Sequence, residues 1–398
     1  MIDFVPRGEG ESPKRSEGGM RSHAEHLRMN LDAGFASSPA SAVAPAVRGS
    51  RRPAGRRHTS AYAAAIRDIW RPIEGAVDSV TALHHEIMRY ATLAPSHRNA
   101  QPWMLHVLDG DLFIHPDFTR RAPYADADDE SLFISLGCAA ENAGIAARAL
   151  GLRGEVSFHP AGRGGLKIDL GAARHIEPSA LFHAIPRRHN APEAYDERTP
   201  SAAELEALQH CGADLGVDVV LVTHRPKIER LAGLLEAAHQ IRGADQALRA
   251  ELRAWTRVTE HAALQRRDGL FTGCGGGHLA ARWLGPVLCD WLSSAPANGA
   301  RAANRARKSG GFAVLIGASR EPHRWVQVGR ACERLLLHAA AMNIRAAVIN
   351  EPMEVRATRL ALAAELGNHS RLPNVLIRFG YGAAGLPSLR RPLGQVMR

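Results

Sequence analysis

Apolar residues recur at helical spacing in two long segments of the chain, Ser135 to Arg153 and Gln327 to Arg345. Steps of three and four residues place such positions on one face of a helix. The positions are Leu136, Ala140, Ala143, Ala147 and Leu150 in the first segment, and Val328, Cys332, Leu335, Ala339 and Met342 in the second. Each segment therefore predicts a buried, alanine-rich helix.

The two predicted helices also match each other as a repeat. Gly137 corresponds to Gly329 and Glu141 to Glu333, in both cases 192 residues apart. Strand-like segments flank each helix: MLHVLDGDLFIHP and GEVSFHP around the first, GFAVLIGAS and RAAVINEP around the second. A chance match between two alanine-rich helices is the alternative. The shared context favours an α+β fold of two duplicated halves, each with a sheet packed on its long helix.

The remaining pattern sets the expected organisation of the chain. DVVLVT (218–223) reads as a strand, helices follow around 228–241 and 247–258, and the glycine-rich DGLFTGCGGGHL (268–279) reads as a mobile loop. Residues 1–60 lack sustained apolar periodicity and predict a disordered basic extension. We expect the first half at 61–180 and the second at 181–398, with a lid around 240–300.

Composition narrows the class of protein. The 398 residues carry a net charge of +10, concentrated in arginine clusters without interleaved aromatic residues, so a nucleic-acid partner is not predicted. No apolar run is long enough to cross a membrane. Arg51-Arg52 is not followed by the uncharged stretch of an export signal. Five scattered cysteines without a CxxC pair indicate a cytoplasmic protein.

Common catalytic signatures are incomplete in this chain. HEIMR (85–89) ends in arginine where a zinc helix needs histidine, and GASRE (317–321) is not the GxSxG of a hydrolase. GCGGGH (273–278) lacks both the third glycine and the preceding strand of a dinucleotide-binding turn. No metal site is predicted, and a redox function would need another cofactor geometry.

Four short segments carry the remaining candidate chemistry: LAPSHRNAQPW (93–103), IPRRHNAPEAY (185–195), NEPME (350–354) and LRRPL (389–393). Ser96, Asn99 and Gln101 offer hydrogen-bonding groups for the edge of a flat heterocycle, while Trp103 can anchor their loop. The arginine pairs 187–188 and 390–391 suit a phosphate, although surface arginines at element ends are the plainer interpretation.

Together these segments resemble the nitroreductase-like flavoproteins. APSHRNAQPW is similar to their APSxxNxQPW signature, and the mid-chain arginine motif is similar to their RRSxR. The long helices, NEPME and the terminal RRPL resemble one branch in particular, the Acg-type FMN-binding oxidoreductases. The likeness extends from about residue 82 to the C-terminus.

The resemblance implies one composite FMN site, because the Acg branch resembles a nitroreductase dimer fused into one chain. It assigns the phosphate and ribityl end of FMN to residues of the second half, namely Arg187, Arg188, His189, Arg390 and Arg391. It assigns the loop that faces the flavin to the first half, with Ser96, Asn99 and Gln101. Asn350 and Glu351 are expected beside the flavin ring. His189 and Ala191 depart from the serine and last arginine of RRSxR.

The resemblance also implies an activity, the reduction of FMN by NADPH or NADH followed by reduction of a small-molecule acceptor such as a nitroaromatic or a quinone. No side-chain nucleophile is expected, because the flavin carries the redox chemistry. The alternative is a protein that binds or sequesters FMN with little turnover. A third interpretation is a redox-inactive protein whose basic N-terminal region binds nucleic acid. The fused chain would act as a monomer or pair further into a homodimer.

Overall fold

The computed structural model describes residues 59–398 except 76, 78, 161–163, 177–178, 197, 276–294 and 369. All but the last two residues of the predicted 1–60 extension, and the end of the glycine-rich loop, lie outside the described residues. The helices are α1 (Ser60–Ile69), α2 (Val80–Thr92), α3 (Glu130–Ala149), α4 (Ala180–Ala184), α5 (Ala202–Gln209), α6 (Arg225–Ala244), α7 (Gln246–Ala254), α8 (Glu260–Arg266), α9 (Ala295–Arg307), α10 (Pro322–Ala341), α11 (Glu351–Glu354), α12 (Arg356–Glu365) and α13 (Leu393–Val396).

Two four-stranded antiparallel sheets form the β-structure of the two halves. The strands are β1 (Trp103–Leu108), β2 (Asp111–Pro116), β3 (Glu155–His159), β4 (Gly165–Asp169), β5 (Asp218–Val222), β6 (Thr256–Arg257), β7 (Leu270–Phe271), β8 (Gly311–Ile316), β9 (Arg345–Val348) and β10 (Val375–Gly380). The first sheet has the order β1-β2-β4-β3 and the second β5-β8-β10-β9, while β6 and β7 form a short parallel pair. The predicted duplicated α+β fold is confirmed.

The two long helices cross at the glycine pair that the repeat aligns. A Cβ atom on Gly137 would lie 2.1 Å from the carbonyl oxygen of Val326, and one on Gly329 would lie 2.0 Å from that of Ile134. Only glycine permits this approach of two backbones. Helices α3 and α10 are lined with buried residues and share one core with both sheets, so the halves are joined through their repeated helices.

The C-terminal tail links the halves a second time. Met397 forms a parallel bridge with Leu105 of β1, and the N–H of Arg398 donates to the carbonyl of Leu105 at 2.9 Å. The tail of the second half thus lies on the free edge of the first sheet. This contact covers an edge that would otherwise expose backbone donors and acceptors.

Helix ends differ from the boundaries of the repeated segments. Both long helices begin five residues earlier, at Glu130 and Pro322, and end at Ala149 and Ala341. Pro322 suits the first turn of a helix because it needs no N–H there. The helix expected at 247–258 stops at Ala254 and is followed by β6. Within the described residues, no helix is long and apolar enough to cross a membrane.

Candidate functional site

The loop Leu93–Trp103 joins α2 to β1 in a strained conformation. Arg98, Asn99 and Gln101 have φ angles of 51°, 53° and 53°, in the left-handed region that side chains other than glycine rarely adopt. Trp103 is fully buried and anchors the loop, as the sequence predicted. Such a cluster of strained residues persists only where surrounding contacts hold it, and it is a frequent mark of functional loops.

Asn99 ties this loop to the glycine-rich segment. Its carbonyl accepts from the N–H of Gly269 at 3.1 Å, while its side-chain amide donates to the carbonyl of Gly269 at 3.1 Å and to that of Leu389 at 3.3 Å. The first part of the predicted mobile loop is therefore hydrogen-bonded in place, with β7 paired to β6.

Ser96 stabilises the loop itself, whereas Gln101 joins the loop to two other segments. The Ser96 hydroxyl accepts from the N–H of Gln101 at 2.9 Å. The fully buried Gln101 side chain donates to the carbonyl of Arg267 at 2.9 Å and accepts from the N–H of Arg391 at 2.8 Å. The Arg391 guanidinium donates to the carbonyl of Gln101 at 3.2 Å. These contacts hold the C-terminal segment against the loop.

Arg390 is fully engaged by the protein. A guanidinium has five N–H groups, and those of Arg390 donate to the carbonyls of Thr92, Leu93, Ala94 and Leu389, the hydroxyl of Ser388 and the side-chain oxygen of Asn99. Burial, with the nearby charge of Arg188, lowers the pKa of Arg390 to about 9. Its geometry is that of a clamp on the end of α2, so it has no donor left for a phosphate in this arrangement.

The arginine motif lies against the same loop from the second half. Arg188 is buried and donates to the carbonyl of Leu93 at 2.7 Å, while its Nε has no hydrogen-bond partner among the described residues. The buried Nδ1 of His189 also has none there. Burial, together with Arg188 and Arg390, lowers the pKa of His189 to about 3, so the imidazole is neutral. Arg187 is exposed and donates to the carbonyl of His183 at 3.0 Å.

Trp70 fills the space beside these residues. Its ring lies 4.8 Å from the Arg390 guanidinium carbon and 5.8 Å from that of Arg188, and it meets the His189 ring edge-on at 4.5 Å. The indole N–H donates to the carbonyl of Ser388 at 3.0 Å. Trp70 was not among the residues predicted from the sequence, and its only distinguishing feature there is its position before a proline-containing loop.

Asn350 immediately precedes the short helix α11, and Glu351 is its first residue. The Asn350 side chain accepts from the N–H of Leu376 at 3.4 Å. Glu351 lies 3.8 Å from Nε2 of His239, and its other carboxylate oxygen is buried without a hydrogen-bond partner among the described residues. These two residues therefore lie at the edge of the second sheet, and their predicted place beside a flavin ring stays a prediction.

A buried charge cluster missed by the sequence analysis joins the loop to α11. Glu354 pairs with Nε of Arg242 at 2.8 Å, His97 at 3.1 Å and Arg98 at 3.3 Å, while Arg98 also pairs with Glu251 at 2.6 Å. Burial alone would raise the pKa of Glu354, but the His97 hydrogen bond and the two guanidiniums hold it at about 2. Glu354 therefore stays ionised and fixes the loop to the second half.

Glu333 is a second buried acid, on α10 behind the arginine motif. It is fully buried, lies 3.4 Å from Nε of Arg188, and has no well-formed hydrogen bond on either oxygen among the described residues. Burial raises its pKa to about 7, and Arg188 and Asn142 offset only part of this effect. The site thus contains a carboxyl group that gains and loses a proton near neutral pH.

Known proteins similar to this chain were found among curated sequences, while no family model matches. The chain is 26% identical over 324 residues to "Putative NAD(P)H nitroreductase MT3217" of Mycobacterium tuberculosis strain CDC 1551, covering 78% of this chain and 90% of that protein. "Putative NAD(P)H nitroreductase Rv3131" of strain H37Rv matches to the same extent. The predicted resemblance to nitroreductases is confirmed. It spans most of both proteins rather than a shared motif.

Solved structures give more distant likenesses. The FMN-dependent nitroreductase NfnB from Mycobacterium smegmatis, in complex with NADPH, is 19% identical with a TM-score of 0.40 and covers 55% of this chain and 97% of its own. A nitroreductase with bound FMN from Bacteroides fragilis is 15% identical with a TM-score of 0.33, covering 54% and 95%. These likenesses are too distant to support an argument about this chain.

Proposed function

We propose that this chain is an FMN-dependent NAD(P)H oxidoreductase of the nitroreductase type, with one composite cofactor site. The observation that carries the proposal is the contact between the two halves at 2.7 Å, where Arg188 of the arginine motif donates to Leu93 of the APSHRNAQPW loop. The resemblance assigns both segments to the cofactor, and they adjoin although they lie far apart in the sequence. The similarity to proteins named as NAD(P)H nitroreductases supports the same activity.

The residues present fit a phosphate-bearing cofactor at the arginine motif. His189 keeps a buried nitrogen, Nδ1, without a hydrogen-bond partner among the described residues, which is unusual unless a ligand or water completes the site. The buried guanidinium of Arg188 is paired only loosely, with its Nε 3.4 Å from Glu333. Arg187, the preceding residue in the chain, is exposed, and its cation would add to the positive charge of this motif. We assign the phosphate and ribityl end to these three residues, and leave Arg390 and Arg391 to position the loop.

The loop Leu93–Trp103 and the buried charge cluster around Glu354 would orient the ring end of FMN. Arg98, fixed by Glu251 and Glu354, sets the position of the loop against α11. When bound, FMN supplies the redox chemistry, taking a hydride from NADPH or NADH and passing electrons to a nitroaromatic or quinone acceptor. The protein supplies binding, orientation and charge. Because Glu354 stays ionised at neutral pH, we assign it no proton transfer.

Storage of FMN with little turnover is the second candidate, and one contact favours it. The paired hydrogen bonds between Asn99 and Gly269 hold the start of the glycine-rich segment against the loop, and a segment held there would restrict the access of a donor to a flavin bound at the loop. We place either activity in the cytoplasm, which the free thiols of Cys138, Cys211, Cys274 and Cys332 support.

The visible absorption spectrum under anaerobic conditions tests this function. Protein loaded with FMN should show a flavin spectrum that bleaches when NADPH or NADH is added, and the faster donor is the preferred one. A flavin spectrum that persists with both donors would indicate storage. Protein that takes up no flavin would contradict both candidates.

A matched pair of arginine variants tests the assigned phosphate end. Arg187→Ala should weaken FMN binding about tenfold, because a charge-assisted contact to a phosphate is lost, with little change in stability. Arg230→Ala is the control, since Arg230 is an exposed arginine on α6 that pairs with Glu365. Fluorescence titration with FMN measures both, and equal affinities in the two variants would remove Arg187 from the site.

A further inference from the structure

Helix α1 and the residue after it cover the arginine motif from outside. Tyr62 is fully buried, and its hydroxyl donates to the carbonyl of Pro387 at 3.2 Å. Its ring packs against Phe271, with ring centres 5.4 Å apart, and near Leu389. At the start of the helix, the N–H of Thr59 donates to Glu260 at 2.9 Å. The helix is therefore held on a surface formed by the segments around 260–274 and 386–390.

Trp70, the residue after α1, places an aromatic side chain in the candidate site. Its ring is surrounded by the cations of Arg188 and Arg390 and by the neutral imidazole of His189. An aromatic face attracts guanidinium groups, so the indole partly satisfies two buried charges. It does not satisfy the buried Nδ1 of His189, which has no hydrogen-bond partner among the described residues, and the Nε of Arg188 has only the long 3.4 Å ion pair with Glu333. The Trp70 ring therefore lies at a position where the surrounding polar atoms are suited to bind an anion.

We infer that Trp70 occupies the position of the ligand's phosphate end, so that docking of α1 and binding of a phosphate-bearing ligand exclude each other. This inference rests on the proposed function, in which that ligand is FMN. Helix α1 is then a built-in competitor of the cofactor. The affinity observed for FMN equals the intrinsic affinity reduced by the fraction of molecules in which Trp70 has withdrawn.

FMN titration of Trp70 variants tests the competition in the full chain. Trp70→Ala should bind FMN at least about tenfold more tightly than the unmodified protein does, because the competing ring is removed. Riboflavin, which lacks the phosphate, is the matched ligand and should gain much less. Circular dichroism confirms that the variant is folded before the titration is interpreted.

A second variant keeps Trp70 and weakens only the docking of its helix. Tyr62→Phe removes the hydrogen bond to Pro387, and the net contribution of such a bond corresponds to a gain of about threefold in FMN affinity. This variant serves if Trp70→Ala does not fold. A residue with a purely structural role would not tighten binding when its hydrogen bond is removed.

Thiol reactivity reports the helix position without reference to turnover. Cys274 is half-buried and lies 3.6 Å from the Tyr62 hydroxyl, so withdrawal of α1 should expose it further. With Cys289 changed to serine to remove a competing thiol, FMN should speed modification of Cys274 by a thiol reagent severalfold. Cys274→Ser in the same background should abolish that signal.

The outcomes separate this inference from the proposed function. Tighter FMN binding in the Trp70 and Tyr62 variants, with faster Cys274 modification, supports the competition. FMN binding that is unchanged or weaker in Trp70→Ala, or Cys274 reactivity unaffected by FMN, overturns the competition and leaves the proposed function in place. Absence of flavin binding in every folded variant overturns both.

Discussion

Glu141 and Glu333 occupy equivalent positions in the two repeated helices, yet their surroundings differ. Glu141 on α3 accepts from Nε of Arg330 at 2.8 Å and from Nε of Arg334 at 2.9 Å, both on the opposite helix α10. Glu333 on α10 has no comparable pair of donors among the described residues and lies 3.4 Å from Arg188. One copy of the glutamate is neutralised within the helix pair, and the other is not.

The repeat explains this difference. The positions equivalent to Arg330 and Arg334 are Cys138 and Asn142 of α3. The Cys138 thiol donates to the carbonyl of Gly329 at 3.2 Å and cannot supply a positive charge. A buried carboxylate whose nearby charges do not fully offset the cost of burial tends to hold its proton. Glu333, the copy with incomplete pairing, is also the one that lies beside the candidate site. Functional sites often contain interactions that lower the stability of the protein.

The largest expected effect concerns the feature that both halves share equally, the glycine crossing. Gly137→Ala or Gly329→Ala should each lower the free energy of unfolding by at least about 3 kcal/mol, because the added methyl group meets a backbone carbonyl and the helices must separate. Urea denaturation measures both. A large difference between the two variants would contradict an equivalent crossing.

Gly233→Ala is the matched control for these glycine variants. Gly233 lies in the middle of α6, and a Cβ atom there would meet nothing within 4 Å. Alanine should therefore stabilise the protein by about 0.5–1 kcal/mol through its higher helix propensity.

Glu141→Gln should have the next largest effect. It leaves Arg330 and Arg334, each with 17% of its side chain exposed, without their shared carboxylate. We expect a loss of about 2–3 kcal/mol in the free energy of unfolding at pH 7, which is below the values for fully buried pairs because both arginines retain some solvent and Arg334 also pairs with Asp214 at 2.6 Å. Chemical denaturation checks this, and a loss below 1 kcal/mol would contradict the assigned pairing.

Glu333→Gln should act in the opposite direction and depend on pH. The pKa of Glu333 is raised to about 7 in the folded protein from an ordinary value of 4.5, so between these values the folded state binds the proton and the unfolded state does not. Stability therefore falls as pH rises from about 4.5 to about 7. The variant should gain on the order of 2 kcal/mol at pH 8 and almost nothing at pH 4.5.

Denaturation series at pH 4.5, 6 and 8 measure this effect, with Glu141→Gln as the matched substitution. A constant difference between Glu333→Gln and the unmodified protein across this range would show that Glu333 does not titrate there. The assigned contrast between the two copies would then be wrong.

Local patterns in the sequence predicted much of the fold. The long helices, the strand at 218–222 and the strands that flank the first long helix follow from apolar spacing, and the repeat aligned the two glycines that the structure brings together at the crossing. Helix ends were less accurate, because they depend on single residues such as Asn343, whose φ of 59° follows the end of α10.

Side-chain partners in the candidate site could not be read from the sequence. Arg390 was expected to face a phosphate, but its donors go to the end of α2, almost 300 positions earlier in the chain. Glu354 was part of a quoted motif without an assigned partner, and its pairing with Arg98 spans a similar distance. Such contacts depend on the complete fold, whereas apolar periodicity is a local property.

Because both halves belong to one chain, the two sides of the helix crossing can change independently by mutation. In a dimer of identical subunits, a codon change alters both sides of the helix crossing at once, so an arginine cannot face one glutamate while a cysteine faces the other. Here Arg330 and Cys138 are encoded separately. One half can therefore keep the pairing that holds the helices together while the other accumulates changes next to the candidate site, and neither change has to be tolerated twice.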